Sequence, residues 1–232
     1  MEYGKEMLRV KDLHVFIEND DILENLNFTV HEGDFVAVIG PNGAGKSVLL
    51  RTLLGFLPYK GEISYSPDVV MGYVPQRFSV ERDLPLNAKE WLGLGGASPS
   101  GVKEALARVG FPEGSLRTPI GVLSQGQLQR LILAFALLRK PTLLLVDEPL
   151  ASVDVAGSEA ISQLLTKLSK DEKIAVLFVS HDLNLVHQAA SHVICLDHRQ
   201  MCFGTVQEAL TEKTLKELFG EEQTVFVHKT DS

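Results

Sequence analysis

Cysteine is scarce in this chain: Cys195 and Cys202 are the only two in 232 residues. That excludes a scaffold built from disulfides and fits a reducing compartment. Long apolar runs are missing too. The longest extends only from Leu131 to Leu138, against the roughly 18 residues that a membrane-spanning helix requires. Any membrane role is therefore expected to be peripheral. The first residues, Met1-Glu2-Tyr3-Gly4-Lys5-Glu6, have neither the basic cluster nor the apolar core of a secretory signal, so a cytoplasmic protein is expected. Positive charge is also in deficit. With 22 Lys and Arg against 30 Asp and Glu the net charge is −8, and nucleic acid is not an expected partner. What is present is 45% apolar content, enough to bury the core of one large domain or of a domain with a lobe.

The chain is organised around Gly40-Pro41-Asn42-Gly43-Ala44-Gly45-Lys46-Ser47. An apolar strand pattern, Phe35 to Ile39, precedes it and a helical pattern, Val48 to Leu54, follows. Strand, glycine-rich loop and helix in that order are what G-x-x-x-x-G-K-[ST] needs to act as a phosphate-binding loop. The glycines let successive N–H groups converge on one anion, and the helix adds its positive end. Lys46 supplies charge to the β- and γ-phosphates of a nucleotide, and the Ser47 hydroxyl is placed to ligate Mg²⁺.

Before this loop, alternating residues predict strands from Leu8 to Phe16 and from Leu26 to Val30, with an acidic turn Glu18-Asn19-Asp20-Asp21 between them. Phe16 either packs in the core or stacks on a nucleotide base; its position alone leaves both open. After the loop, strands are expected at Glu62 to Tyr65 and Val69 to Val74, the second running into Pro75-Gln76. Residues 77–140 change to short helices. Asn87 with Glu90 forms a capping box, and Gly93 to Gly101 reads as a loop. Ser124 with Gln127 forms a second capping box, opening the strongest helix of the chain, with Leu128, Leu131, Ile132 and Phe135 on one face and Pro141 as its stop. That helix is either simply buried or offers a second anion site at its start.

The apolar run Leu143 to Val146 ends in Asp147 and Glu148, where charge is costly unless a cation or polar ligand meets it. Adjacent strand residues point opposite ways, so the two carboxylates divide the work: Asp147 toward Mg²⁺, Glu148 as general base for an attacking water. A helix over 157–170, a strand from Ile174 to Val179, Ser180-His181-Asp182, a helix to about Ala190 and a strand from His192 to Leu196 continue a βαβα rhythm. Thr205 caps a helical section reaching Phe219. The pattern is that of a doubly wound parallel sheet with ligands at the carboxyl ends of its strands. Gln76 and His181 both fall at such ends, and a neutral His181 there can hold a γ-phosphate oxygen.

In this order the phosphate loop, Gln76, Leu123-Ser124-Gln125-Gly126-Gln127, Leu143 to Pro149, Asp154 and Ser180-His181 resemble an ABC-transporter ATP-binding subunit over nearly the whole chain. The resemblance implies an α/β fold. Its parts are a P-loop NTPase core with a mostly parallel doubly wound sheet, an antiparallel β subdomain and an inserted α-helical lobe. The whole, 1–232, would be one ABC ATPase domain. Residues 1–76 and 141–232 would form the nucleotide-binding core with its β subdomain, and 77–140 the helical lobe. ATP and Mg²⁺ are the implied cofactors. Phe16 would stack on adenine, Gly40 to Ser47 with Val48 would bind ATP, and Ser47, Gln76 and Asp147 would serve Mg²⁺. Glu148, His181 and Gln76 would be catalytic. Ser124, Gln125, Gly126 and Gln127 would bind the γ-phosphate held by a second copy, with Asp154 at the seam.

The partners implied are that second copy, an integral membrane permease and a substrate-binding protein. The location implied is peripheral, on the cytoplasmic face of the inner membrane. Gly72 to Gln76, Leu84-Pro85-Leu86, Ser180 to Val186 and Val193 to Gly204 are most similar to ATPases of zinc and manganese importers. The alternative is a soluble ABC-type ATPase working in cofactor assembly or nucleic-acid remodelling. The chain departs from the family pattern at Gln125 (usually Gly), Val48 (commonly Thr), Phe16 (commonly Tyr) and Leu150 (usually Thr). A working enzyme with weaker nucleotide affinity is expected.

Two further features stay open at this point. Phe78, Leu84, Leu86, Trp91 and Leu92 either meet a permease helix or form the core of the lobe. If His198-Arg199 makes a two-residue hairpin turn, Cys195 opposes Cys202, Leu196 opposes Met201 and Asp197 opposes Gln200. The expectation there is two reduced cysteines packed as small apolar groups. A disulfide, or a metal contact with His198, is the alternative.

Overall fold

The structure is a computed structural model and describes residues 4–18, 20–149 and 155–220. The chain forms two compact units, one built from Met1–Pro67 and Ala175–Ser232, the other from Asp68–Ile174. The expected helical lobe, 77–140, lies inside the second unit.

In the first unit the strands are β1 (Glu6–Ile17), β2 (Asp20–His31), β3 (Phe35–Ile39) and β4 (Lys60–Tyr65), followed after a long excursion by β7 (Ala175–Val179), β8 (His192–Asp197) and β9 (Arg199–Thr205). Their order across the sheet is β4-β1-β2-β9-β8-β3-β7. β1 pairs antiparallel with both β2 and β4, which makes the antiparallel β portion. β3 runs parallel to both β7 and β8. All five residues of β3 and all five of β7 are buried, as continuous apolar strands covered on both faces must be. The register pairs Val38 with Val179 and Ile39 with Cys195. Gly40 and Ser180-His181 therefore leave the sheet together at its carboxyl edge, beside Leu196 near the end of β8. Helix α1 (Lys46–Leu53) turns Leu49, Leu50 and Leu53 inward, each at most 2% exposed.

The second unit contains β5 (Met71–Val74) and β6 (Leu143–Asp147), a parallel pair, with helices α2 (Ala88–Gly93), α3 (Pro99–Arg108), α4 (Gln125–Leu137) and α5 (Val155–Lys170). Both expected capping boxes are formed: Asn87 with Glu90 at α2, and Ser124 with Gln127 at α4. Helices α6 (Leu183–Ala189), α7 (Val206–Ala209) and α8 (Glu212–Phe219) belong to the first unit. Asp182 caps α6, accepting from the N–H groups of Asn184 and Leu185.

The element boundaries differ from expectation in four places. Asp20 and Asp21 are strand residues of β2, opposite Ile17 and Phe16, instead of turn residues. Gly93 to Gly101 is not one loop: Ser98 caps α3, and Pro99 opens it, where a missing N–H costs nothing. Residues 199–205 form a strand, although Gly204 and the polar Arg199-Gln200 mask its alternation. The β8–β9 connection is not a two-residue turn. Asp197 pairs with Arg199 and Leu196 with Gln200, His198 sits alone at φ +58, and the register shifts before Cys195 meets Cys202. The two cysteines are joined in a disulfide, contrary to the expectation of reduced thiols. As antiparallel partners their Cα atoms lie 4.8 Å apart, within bridging range.

Burial in α1 and capping of α2 set unequal stakes. Leu50→Ala, at a fully buried position, is expected to destabilise the fold by about 2–5 kcal/mol. Asn87→Ala is expected to cost about 1 kcal/mol. Urea denaturation of the two variants checks the order.

Candidate active site

The phosphate loop is shaped by close backbone approaches. A Cβ on Gly40 would lie 1.9 Å from the carbonyl oxygen of Leu196, so no other residue fits without moving β8. Gly45, the residue that caps α1, has φ +92, and a Cβ there would lie 2.5 Å from Leu23 Cδ2. Ala44 O accepts a hydrogen bond from His198 N–H at 3.2 Å. The loop is thus held between β2 on one side and the β8–β9 turn on the other, while Asn42 and Gly43 stand exposed at its crest. Lys46 is 6% exposed and its Nζ donates to Gly40 O at 2.9 Å and Pro41 O at 2.8 Å. Its ammonium therefore curls back over the loop beside the amino end of α1, where both contributions favour an anion. Ser47 and Val48 follow in the first turn, half-buried.

Two other candidates lie in the same unit. His181 is exposed just beyond β7, the neighbour of β3, after the buried Ser180 whose N–H reaches Val38 O at 3.2 Å. Phe16 is at the surface, 37% exposed, which removes the core-packing alternative. Lys60 Nζ lies 4.8 Å from its ring centroid, and the His14 ring stacks at 6.5 Å. A planar base stacking on this ring would share it with the Lys60 ammonium or displace it.

In the second unit, parallel pairing of Val74 with Val146 extends two residues on to bring Gln76 beside Glu148. Gln76 Nε2 donates to Glu148 Oε2 at 2.6 Å. A carboxylate only accepts, so the amide must give its N–H, leaving Gln76 Oε1 as an acceptor for another group. Glu148 stands at φ +43, uncommon for a residue with a side chain. Its neighbour Asp147 closes β6 with a carboxyl group 3% exposed. A cavity of about 380 Å³ opens here, lined by Gln76, Phe78, Gln125, Gln129 and Glu148 among others. Sequence reasoning missed Gln129. Its Nε2 is buried and, among the described residues, has no hydrogen-bond partner. The signal was its place one helical turn beyond Gln125, on the same face of α4.

Ser124 and Gln125 are exposed at the start of α4. Ser124 Oγ accepts from Gln127 N–H at 3.3 Å, Gln127 Oε1 accepts from Ser124 N–H at 3.0 Å, and Gln127 Nε2 donates to Ser115 Oγ at 3.0 Å. Gln125 is the first residue of α4 and has negative φ. Its side chain in place of the family's glycine therefore strains nothing. Asp154 and Leu150 lie outside the described residues. Of the apolar set past Gln76, Leu92 is fully buried and belongs to the core of its unit. Phe78, Leu84, Leu86 and Trp91 are half-buried. Phe78, Trp91 and Phe135 form an aromatic row, with centroids 5.6 and 4.7 Å apart. Among the described residues no helix is long and apolar enough to cross a membrane.

Residues 23–151 match the family described as ABC transporter. The chain is 40% identical over 215 residues to the zinc import ATP-binding protein ZnuC 1 of Hahella chejuensis, covering 92% of this chain and 84% of that one. Among solved structures it is similar to an ABC transporter described as of the metal-chelate type, in an inward-facing conformation. There the TM-score is 0.84 and the identity 28%, over 93% of this chain and 89% of that one. It is also similar to a dimeric ATP-binding cassette in a post-hydrolysis state with ADP and phosphate bound. That match has a TM-score of 0.73 and 26% identity, over 86% of this chain and 99% of the other.

If Lys46 contacts a bound phosphate, loss of its ammonium removes charge-assisted hydrogen bonds. Lys46→Ala is expected to weaken ATP binding by about tenfold to a hundredfold, measured by titration calorimetry. Unchanged affinity would remove Lys46 from the site.

Proposed function

The chain belongs to the ABC transporter family, and on that premise we propose that it is the ATP-hydrolysing subunit of a membrane importer that carries zinc. The observation that carries the hydrolytic reading is the pairing of Gln76 with Glu148 at 2.6 Å, at the carboxyl ends of two parallel strands. The zinc reading is supported by likeness to the zinc import ATP-binding protein over most of both chains.

ATP binds through the backbone N–H groups of Gly40 to Ser47, with Val48 beside them, Lys46 on its β- and γ-phosphates and Phe16 against its base. Glu148 takes the proton of the attacking water, and the hydrogen bond from Gln76 holds that carboxylate in one orientation until the water is in place. His181 steadies a γ-phosphate oxygen. The donors assigned to Mg²⁺, namely the Ser47 hydroxyl, the Gln76 amide oxygen and the Asp147 carboxylate, are all oxygen, which suits a hard divalent cation. When bound, Mg²⁺ neutralises charge on the phosphate oxygens.

A second copy completes the site. Ser124, Gln125, Gly126 and Gln127 of one copy meet the γ-phosphate held by the other, and Asp154, outside the described residues, is assigned to their seam. The capping geometry supports this: a helix start with its serine exposed is an anion site. So does the dimeric state of the cassette solved with ADP and phosphate. Closure of the two copies over ATP is coupled to an integral permease at the cytoplasmic face of the inner membrane. The half-buried aromatic row beside Gln76 offers the apolar docking surface, and a substrate-binding protein delivers the ion.

Glu148→Gln keeps the partner of Gln76 but loses the base. It is expected to lower kcat about 10²- to 10⁴-fold with ATP binding retained, read by phosphate release and by calorimetry. Vesicles holding the chain with its permease are expected to take up zinc in preference to manganese when ATP is supplied. Uptake of neither ion would overturn the metal reading.

A further inference from the structure

We propose that the Cys195–Cys202 disulfide is a redox device that sets nucleotide affinity by holding the β8–β9 turn against the phosphate loop. The turn touches that loop at two points. The Leu196 carbonyl lies where a Cβ of Gly40 would be, 1.9 Å from it, and His198 N–H donates to Ala44 O at 3.2 Å. The far side of the same residue is also held: His198 O accepts from Glu24 N–H on β2 at 2.8 Å. Cys195 itself pairs with Ile39, the last residue before the loop begins.

The turn departs from regular hairpin geometry. It carries a register shift between Cys195 and Leu196, and His198 has φ +58, unlike the two-residue turns whose twist matches their strands. The disulfide closes it at the base, across a sequence separation of 7. With the bond intact, Leu196 and His198 are confined to the positions that Gly40 and Ala44 rest on. With it broken, the turn regains freedom and both supports weaken.

The chemistry is thiol–disulfide exchange with a low-molecular-weight thiol. Cys195 is fully buried beside Ala37, Ile39 and Val193, whereas Cys202 is partly exposed. The external thiolate therefore attacks Cys202 Sγ. The S–S bond breaks, and Cys195 leaves as a thiolate that takes a proton. A second thiolate then attacks the outer sulfur of the mixed disulfide, releasing the small disulfide and a Cys202 thiolate, which is protonated in turn. Two thiols are oxidised as one protein disulfide is reduced, and the small disulfide drives the reverse.

The inference rests on Gly40 to Ser47 being the ATP site. The test is the Kd for ATP of the full chain, measured by calorimetry after equilibration with glutathione disulfide or with dithiothreitol. Free thiols are counted by alkylation and mass spectrometry. Reduction is expected to raise the Kd about three- to tenfold, the loss of one supporting hydrogen bond or its equivalent, while kcat at saturating ATP stays unchanged. Cys202→Ser is expected to show the reduced value under both conditions. The same Kd in both states of the wild-type chain, or a Cys202→Ser variant that still responds, would overturn the switch alone. So would two alkylated thiols after disulfide treatment. No ATP binding in either state would overturn the reading of the loop as well.

Discussion

The phosphate loop depends on one close approach between two stretches of main chain. Gly40 and the Leu196 carbonyl are so near that no side chain fits between them. That proximity follows from β3 and β8 running parallel and in register, Ile39 opposite Cys195. Parallel pairing carries no side-chain message of its own. It works here because β3 and β7 are apolar on both faces and have to be buried, which fixes their neighbours and so the edge where the loop emerges. The same register logic operates in the second unit, where Val74 beside Val146 determines that Gln76 reaches Glu148.

Much of this was legible in the residues, for reasons that can be named. The capping boxes at Asn87 and Ser124 were readable because each is a local code of donors and acceptors three residues apart. Strands β3, β6 and β7 were readable because unbroken apolar runs of that length have few other homes. The stretch that forms β9 was not, since Arg199, Gln200 and Gly204 break any alternation and its pairing comes from β8. The true start of α3 was hidden by Ser98-Pro99-Ser100-Gly101, a composition shared by loops and by capped helix starts. Leu92 and Trp91 illustrate the limit most clearly. They are adjacent and both apolar, yet one is fully buried and the other half-exposed. Only the direction of α2 separates them.

The chain departs from the ABC transporter pattern at Gln125 and Phe16 among other positions. Its departures are mild in physical terms. Gln125 lies in ordinary helical backbone, and Phe16 keeps a ring at the surface while lacking a tyrosine's hydroxyl. Gln76 is hydrogen-bonded to Glu148 in this structure, so under the proposed mechanism that carboxylate is engaged before water reaches it. Its release would then coincide with the arrival of substrate.

The serine at the head of α4 is already fastened to its own helix, and Gln127 is anchored in turn on Ser115. Ordering of this recognition element is thus completed when each monomer folds. In the proposed pairing of two ATP-loaded copies, this helix start would have little local chain entropy to surrender. Diffusion and electrostatic steering, more than local refolding, would govern how fast the assembly closes.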